Sequence, residues 1–151
     1  MNKGFNPHAR RKARQYALQA IYQWQMAGSN IGDIEKQFLE TINVKKVDAE
    51  YFSRLLRGTL TQLDVIDGAL EPHMERVMED VDPVERAILR LSAFELKDQI
   101  EVPYRVVINE ALELAKGFGA TDGFKFVNGV LDKAAKNLRS VETGSRTDGG
   151  K

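Results

Sequence analysis

Apolar side chains recur at the three-to-four-residue spacing of a helix from Ala9 to Leu138, and no stretch alternates apolar and polar residues as a half-buried strand would. The punctuation between periodic runs divides them into about seven short helices. The first runs from about Ala9 to Met26 and ends at Gly28, and a second runs from Asp33 to Thr41, closed by Asn43. Asp48 is placed to cap a third, which carries Tyr51, Phe52, Leu55 and Leu56. Asp64 restarts a fourth through Ile66 and Leu70, with Pro72 dividing or kinking its end. Asp82 followed by Pro83 is an N-cap with proline at the first helical position, and it opens a helix whose Val84, Ala87, Ile88, Leu91 and Phe94 share a face. Pro103 opens a sixth in the same way, with Val107, Ile108, Ala111, Leu114, Ala115 and Phe118 turned to the core. Thr121 caps a seventh through Val127, Val130, Leu131, Ala134 and Leu138. The expected fold is all-α, a compact helical bundle. Residues 1–8 read as a flexible N-terminal extension, 9–138 as one helical domain, and 139–151, rich in Ser, Thr, Gly and charges, as a disordered tail.

Composition narrows the function. The chain has 151 residues, 42% of them hydrophobic, enough for a real core in one domain. It has no Cys and two widely separated histidines, His8 and His73, which supplies neither disulfides nor a metal-ligand pattern, so no metal or cofactor is expected. No signal-peptide core and no apolar run of membrane-spanning length is present, which predicts a soluble cytoplasmic protein. No phosphate-binding loop, nucleophile elbow or zinc-protease pattern occurs. Glu110 and Glu113, the most suggestive acid pair, fall on the polar face of the sixth helix, with Lys116 placed to pair with Glu113. An enzyme is not expected.

Charge is segregated. The 22 Lys and Arg balance the 22 Asp and Glu, yet the first fourteen residues carry Lys3, Arg10, Arg11, Lys12 and Arg14 and no acid. Residues 33–82 hold twelve acids against six bases, so the middle of the chain repels a polyanion and confines any nucleic-acid path to the two ends. Arginine forks match phosphate and stack on bases, which makes RNA the leading candidate over a solvated tail. Four phosphate contacts on a single strand would give log affinity a slope of about −3 against log salt.

Two aromatics stand apart from the core pattern. At 100° per residue, Ala13, Ala17, Ala20, Ile21 and Trp24 form the buried stripe of the first helix, while Arg11, Gln15, Tyr22 and Met26 share another side. Tyr22 there either stacks on a base, packs on a partner, or lies under a neighbouring helix. In the last helix Phe126 lies at the margin of the buried face, beside Gly129 and Lys133, with Lys125 pointing outward. It reads as a stacking platform or a half-buried edge residue. Asn128 falls toward the core-facing edge, where its amide needs a hydrogen-bonded partner.

Several long motifs resemble one family. VPYRVVINEALELAKGFG from Val102, KFVNGVLDKAAKNL from Lys125, ARRKARQYALQAIYQWQ from Ala9 and DVDPVERAILRLSAFEL from Asp80 are together similar to NusB, the bacterial transcription antitermination factors, over nearly all of Ala9 to Leu138. The resemblance implies two three-helix subdomains with extra helical connections. It also implies binding of the boxA element of ribosomal RNA leader transcripts, together with a small-subunit ribosomal protein serving as NusE and, on RNA polymerase, with NusA and NusG. It assigns Arg10, Arg11, Lys12 and Arg14 to RNA contact, Tyr22 to the RNA and partner surface, Glu85 to the partner, and Asp122, Lys125 and Phe126 to an RNA-side rim, with Phe124 a departure from the family's usual small or polar residue. The alternative is a helical module that binds only protein, with the basic helix start docked on an acidic partner; a homodimer burying that start stays open. NusB-like domains also precede ribosomal RNA methyltransferase domains, for which this chain has no strand-rich remainder.

Overall fold

A computed structural model describes residues 6–144, and among them every regular element is helical. The elements are α1 (Pro7–Ala27), α2 (Ile31–Thr41), α3 (Ala49–Thr61), α4 (Leu63–Leu70), α5 (Pro83–Asp98), α6 (Tyr104–Phe118), α7 (Gly123–Leu138) and a single turn, α8 (Ser140–Thr143). Short 3-10 turns at Glu71–His73 and Met78–Asp80 join α4 to α5, the first of them holding Pro72. No helix among these residues is long and apolar enough to cross a membrane.

Helices α1, α2 and α3 pack against one another, as do α5, α6 and α7, and α4 lies on α5 and α7. α1 and α3 also pack on α5, which joins the two sets. α5 can do this because every residue from Ala87 to Leu96 is buried, the mark of a helix with neighbours on all sides. The alanine stripe of α1 is buried as the wheel predicts, and small side chains there let α3 and α5 approach its backbone closely. Trp24 sits partly buried against the same core.

The helix ends follow local chemistry, with four departures from expectation. Asp48 Oδ1 accepts from Tyr51 N at 3.0 Å, Asp82 caps Val84 and Glu85, and Gly28 takes the left-handed φ of 67° that glycine adopts without strain. α1, however, starts at Pro7: Asn6 Oδ1 accepts from Ala9 N at 3.0 Å, so Pro7 and His8 are helical, not part of a flexible extension. α2 likewise starts early, capped by Asn30. α7 starts at Gly123 with no side-chain cap, so Thr121 does not serve. The tail expected from residue 139 does not begin there. Arg139 is buried, its Nε donates to Leu96 O at 2.5 Å and its Nη2 to Gln99 O at 3.0 Å, and α8 follows. Lys3, the rest of residues 1–5, and residues 145–151 lie outside the described residues.

Candidate nucleic-acid interface

The basic start of α1 is ordered, and carboxylates hold it. Arg14, 6% exposed, is locked to Glu95 of α5: its Nε lies 3.0 Å from both carboxylate oxygens and its Nη2 2.5 Å from one. The Tyr51 hydroxyl of α3 donates to the same carboxylate at 2.6 Å, so three helices meet at one buried charge. Burial opposes the charge of Arg14, but the hydrogen bonds and negative charge of Glu95 outweigh it and raise the guanidinium pKa. Tyr51 is pushed far above the ordinary phenol range by burial first and then by the neighbouring carboxylate. Arg10 lies 4.0 Å over the Tyr51 ring and pairs with Asp48 at 3.5 Å and Glu101 at 3.7 Å. Arg10 and Arg14 therefore hold α1 to its neighbours through internal partners, in phase with Ala17 and Ile21 on the core side, and are not the free solvent-facing arginines that the sequence suggested.

Arg11 differs. Half exposed at 51%, it is held by Glu110 of α6, with Nε to Oε1 at 3.0 Å and Nη2 to Oε2 at 2.8 Å, and this hydrogen bonding raises its pKa. Glu110 also lies 3.8 Å from Arg14 Nη1 and is only 14% exposed, so it is no solvated surface acid as its position on the polar face predicted. Lys12 is half-buried on the same turn. Arg10, Arg11 and Arg14, with His8, Glu101, Pro103, Val106 and Glu110, line a groove of about 580 Å³ between α1 and the start of α6.

Tyr22 lies eleven residues along α1 from Arg11, about 16 Å at 1.5 Å per residue, so the two do not form one site. At 38% exposed it lies under no neighbouring helix. It lines an apolar groove of about 500 Å³ with Leu18, Met26, Phe38, Val84 and Phe118. Phe118, expected in the core, is instead exposed at the end of α6, one turn past the last buried residue of that face.

Glu85, assigned to a partner surface, is 6% exposed and packs against Gly123, where an added Cβ would collide with its Oε2. Burial, then the charge of Asp82, raises its pKa. It shapes the start of α7. Asp122, just before that start, is exposed and holds φ 69°, a left-handed conformation that Asp tolerates better than most residues. Lys125 is exposed 3.6 Å from Asp122. Phe126 sits half-buried in a basic recess with His73, Arg76, Lys125, Gly129 and Lys133, and the Arg76 guanidinium covers one face of its ring at 4.5 Å. Burial, then Lys133, lowers the pKa of His73. Lys116 lies 5.0 Å over Phe124, and Asn128 is exposed, not core-facing.

The expected residues thus fall into three places: the basic groove, the apolar groove, and the α7 recess. Met26, already beside Tyr22 on the wheel, Glu110, read as a solvated acid, Phe118, read as core, and Arg76 complete these surfaces, and the last three are placed only by long-range packing.

The NusB family model matches residues 11–136. The transcription antitermination protein NusB of Alcanivorax borkumensis is 57% identical over 146 residues, covering 97% of each chain, and that of Pseudoalteromonas translucida is 57% identical over 133 residues, covering 88% of this chain and 98% of its own. Among solved structures, T. maritima NusB superposes with a TM-score of 0.78 at 29% identity, over 89% of this chain and 96% of its own. A crystal structure of the antitermination factors NusB and NusE in complex with dsRNA superposes at 0.76 and 31% identity, over 84% of this chain and 96% of the matched chain. With its all-helical architecture, the chain belongs to the NusB family.

Proposed function

We propose that this protein is a cytoplasmic transcription antitermination factor that binds boxA RNA of ribosomal RNA leader transcripts jointly with a ribosomal protein of NusE type, within an assembly that includes NusA, NusG and RNA polymerase. The observation that carries the reading is the likeness to the NusB chain crystallised with NusE and dsRNA, together with a basic groove on this chain that holds Arg11 half exposed. Arg11 and Lys12 meet phosphate from the α1 start, and Lys125 and Phe126 add a second contact at the α7 recess, with Asp122 at its edge. The apolar groove around Tyr22, Met26 and Phe118 takes the protein partner; buried Glu85 supports it only by holding the start of α7.

Because Arg10 and Arg14 are engaged internally, the α1 start contributes about two phosphate contacts, a slope of about −1.4 in log affinity against log salt on single-stranded RNA. The test is a salt titration of boxA-containing RNA by fluorescence anisotropy, repeated with Arg11→Ala, which should flatten the slope by about 0.7. A flat titration of the wild type defeats the RNA reading. The apolar groove then favours the second reading, a module that binds only protein.

A further inference from the structure

We propose that Glu110 is a selectivity-determining residue: an internal carboxylate that occupies the edge of Arg11 which an RNA phosphate would take, so that only RNA with enough additional contacts displaces it. The proposal rests on the RNA reading of the basic groove.

A guanidinium offers a carboxylate or a phosphate the same two-point fork, one Nε and one Nη. In this chain that fork is filled, by Oε1 at 3.0 Å and Oε2 at 2.8 Å. Arg11 keeps its second edge, Nη1 with the outer Nη2 proton, a two-point face that a phosphate can take only beside the charge of Glu110. Glu110 is well placed to compete, for its side chain is mostly buried, where screening by solvent is weaker than at an open surface, and it adds a negative charge to the wall of the groove. Its second neighbour, Arg14 at 3.8 Å, is already committed to Glu95, so Glu110 is not needed to neutralise Arg14. A phosphate entering the groove must therefore either push the carboxylate aside or bind next to it. RNA held by its backbone alone gains too little to do so. RNA that also places bases in contact with the protein can, which turns a charge contact common to all sequences into one granted mainly to the right sequence.

The test is Glu110→Gln in the full-length chain, titrated with a boxA-containing single-stranded RNA and a scrambled RNA of equal length across a range of salt. The glutamine keeps the shape and one acceptor while removing the charge. Affinity should rise by about three- to tenfold, as expected for removing one like charge beside a phosphate. The rise should be larger for the scrambled RNA, whose salt slope should steepen by about 0.7 as Arg11 gains a phosphate contact that the boxA RNA already makes. In an Arg11→Ala background the same substitution should change little. Unchanged or weaker binding of both RNAs by a Glu110→Gln protein with wild-type circular dichroism and melting overturns the proposal, since Glu110 then only positions Arg11. Should the glutamine variant fail to fold, Glu110→Asp, which draws the carboxylate back from Arg11, must shift scrambled-RNA affinity upward or the proposal fails. A wild-type protein that binds neither RNA removes the RNA reading itself, and the competition with it.

Discussion

Arg14 and Arg11 are three residues apart and alike in chemistry, yet one is buried against α5 and the other, held by Glu110 of α6, is half exposed. Around Glu95 the donors are Arg14 and the Tyr51 hydroxyl, in a space closed to water. Such a pair adds little relative to an apolar substitute, but removing one partner strands a buried charge. Arg14→Met should therefore lower folding stability by about 3 to 5 kcal/mol, measured by urea denaturation, while RNA affinity per folded molecule stays unchanged. A loss below about 1 kcal/mol would mean that Glu95 finds another partner, and a selective loss of RNA affinity would place Arg14 at the interface. The distinction was legible in the sequence: the 4-3-4 spacing of Arg10, Arg14, Ala17 and Ile21 keeps both arginines in phase with the core stripe, whereas Arg11 falls out of phase. Charge drew them into one group; periodicity separates them.

At the scale of the helix, two glycines report opposite surroundings with the same residue type. Gly58 of α3 faces α5, and a Cβ there would collide with the ring of Phe94, whereas Gly68 of α4 faces open space. Alanine gains about 1 kcal/mol over glycine in a helix interior, and overpacking a tight core costs about 1 to 3 kcal/mol. Gly68→Ala should raise stability by about 0.5 to 1 kcal/mol and Gly58→Ala should lower it by up to about 2 kcal/mol, compared by thermal melting. Equal signs would mean that α3 can shift away from Phe94. Helix identity and most helix ends were readable because they depend on neighbours in sequence: Asp48, Asp82-Pro83 and Gly28 act where their chemistry predicts. The same logic applies to Asn6-Pro7, whose cap extends α1 into the supposed extension. Arg139 could not be read so. Its worth lies in the carbonyls of Glu95, Leu96 and Gln99, some 40 residues earlier in the chain, and a polar composition concealed it.

Across the whole molecule, a surface expected to be continuous along α1 divides into a basic groove at its start and an apolar groove near its end, the second completed by Val84 of α5 and Phe118 of α6. The sequence identified Tyr22 as out of place, with Met26 beside it, but not Phe38, Val84 or Phe118, since a helical wheel describes one helix and the groove needs four. Two separated surfaces suit two ligands, and their energetics should be independent. Tyr22→Ala should cost about 1 to 3 kcal/mol in binding to the NusE-type partner, the cost of losing an interface aromatic, and only about 1 kcal/mol in stability, because its ring is already partly exposed. Arg11→Ala should act on RNA alone. In the assembly of protein, partner and RNA, the losses from the two substitutions should then add within about 0.5 kcal/mol, as is usual for sites more than about 10 Å apart with no shared contacts. The double-mutant cycle is read by calorimetry at fixed salt. A coupling above about 1 kcal/mol would show that one ligand spans both grooves, making α1 a single continuous platform after all.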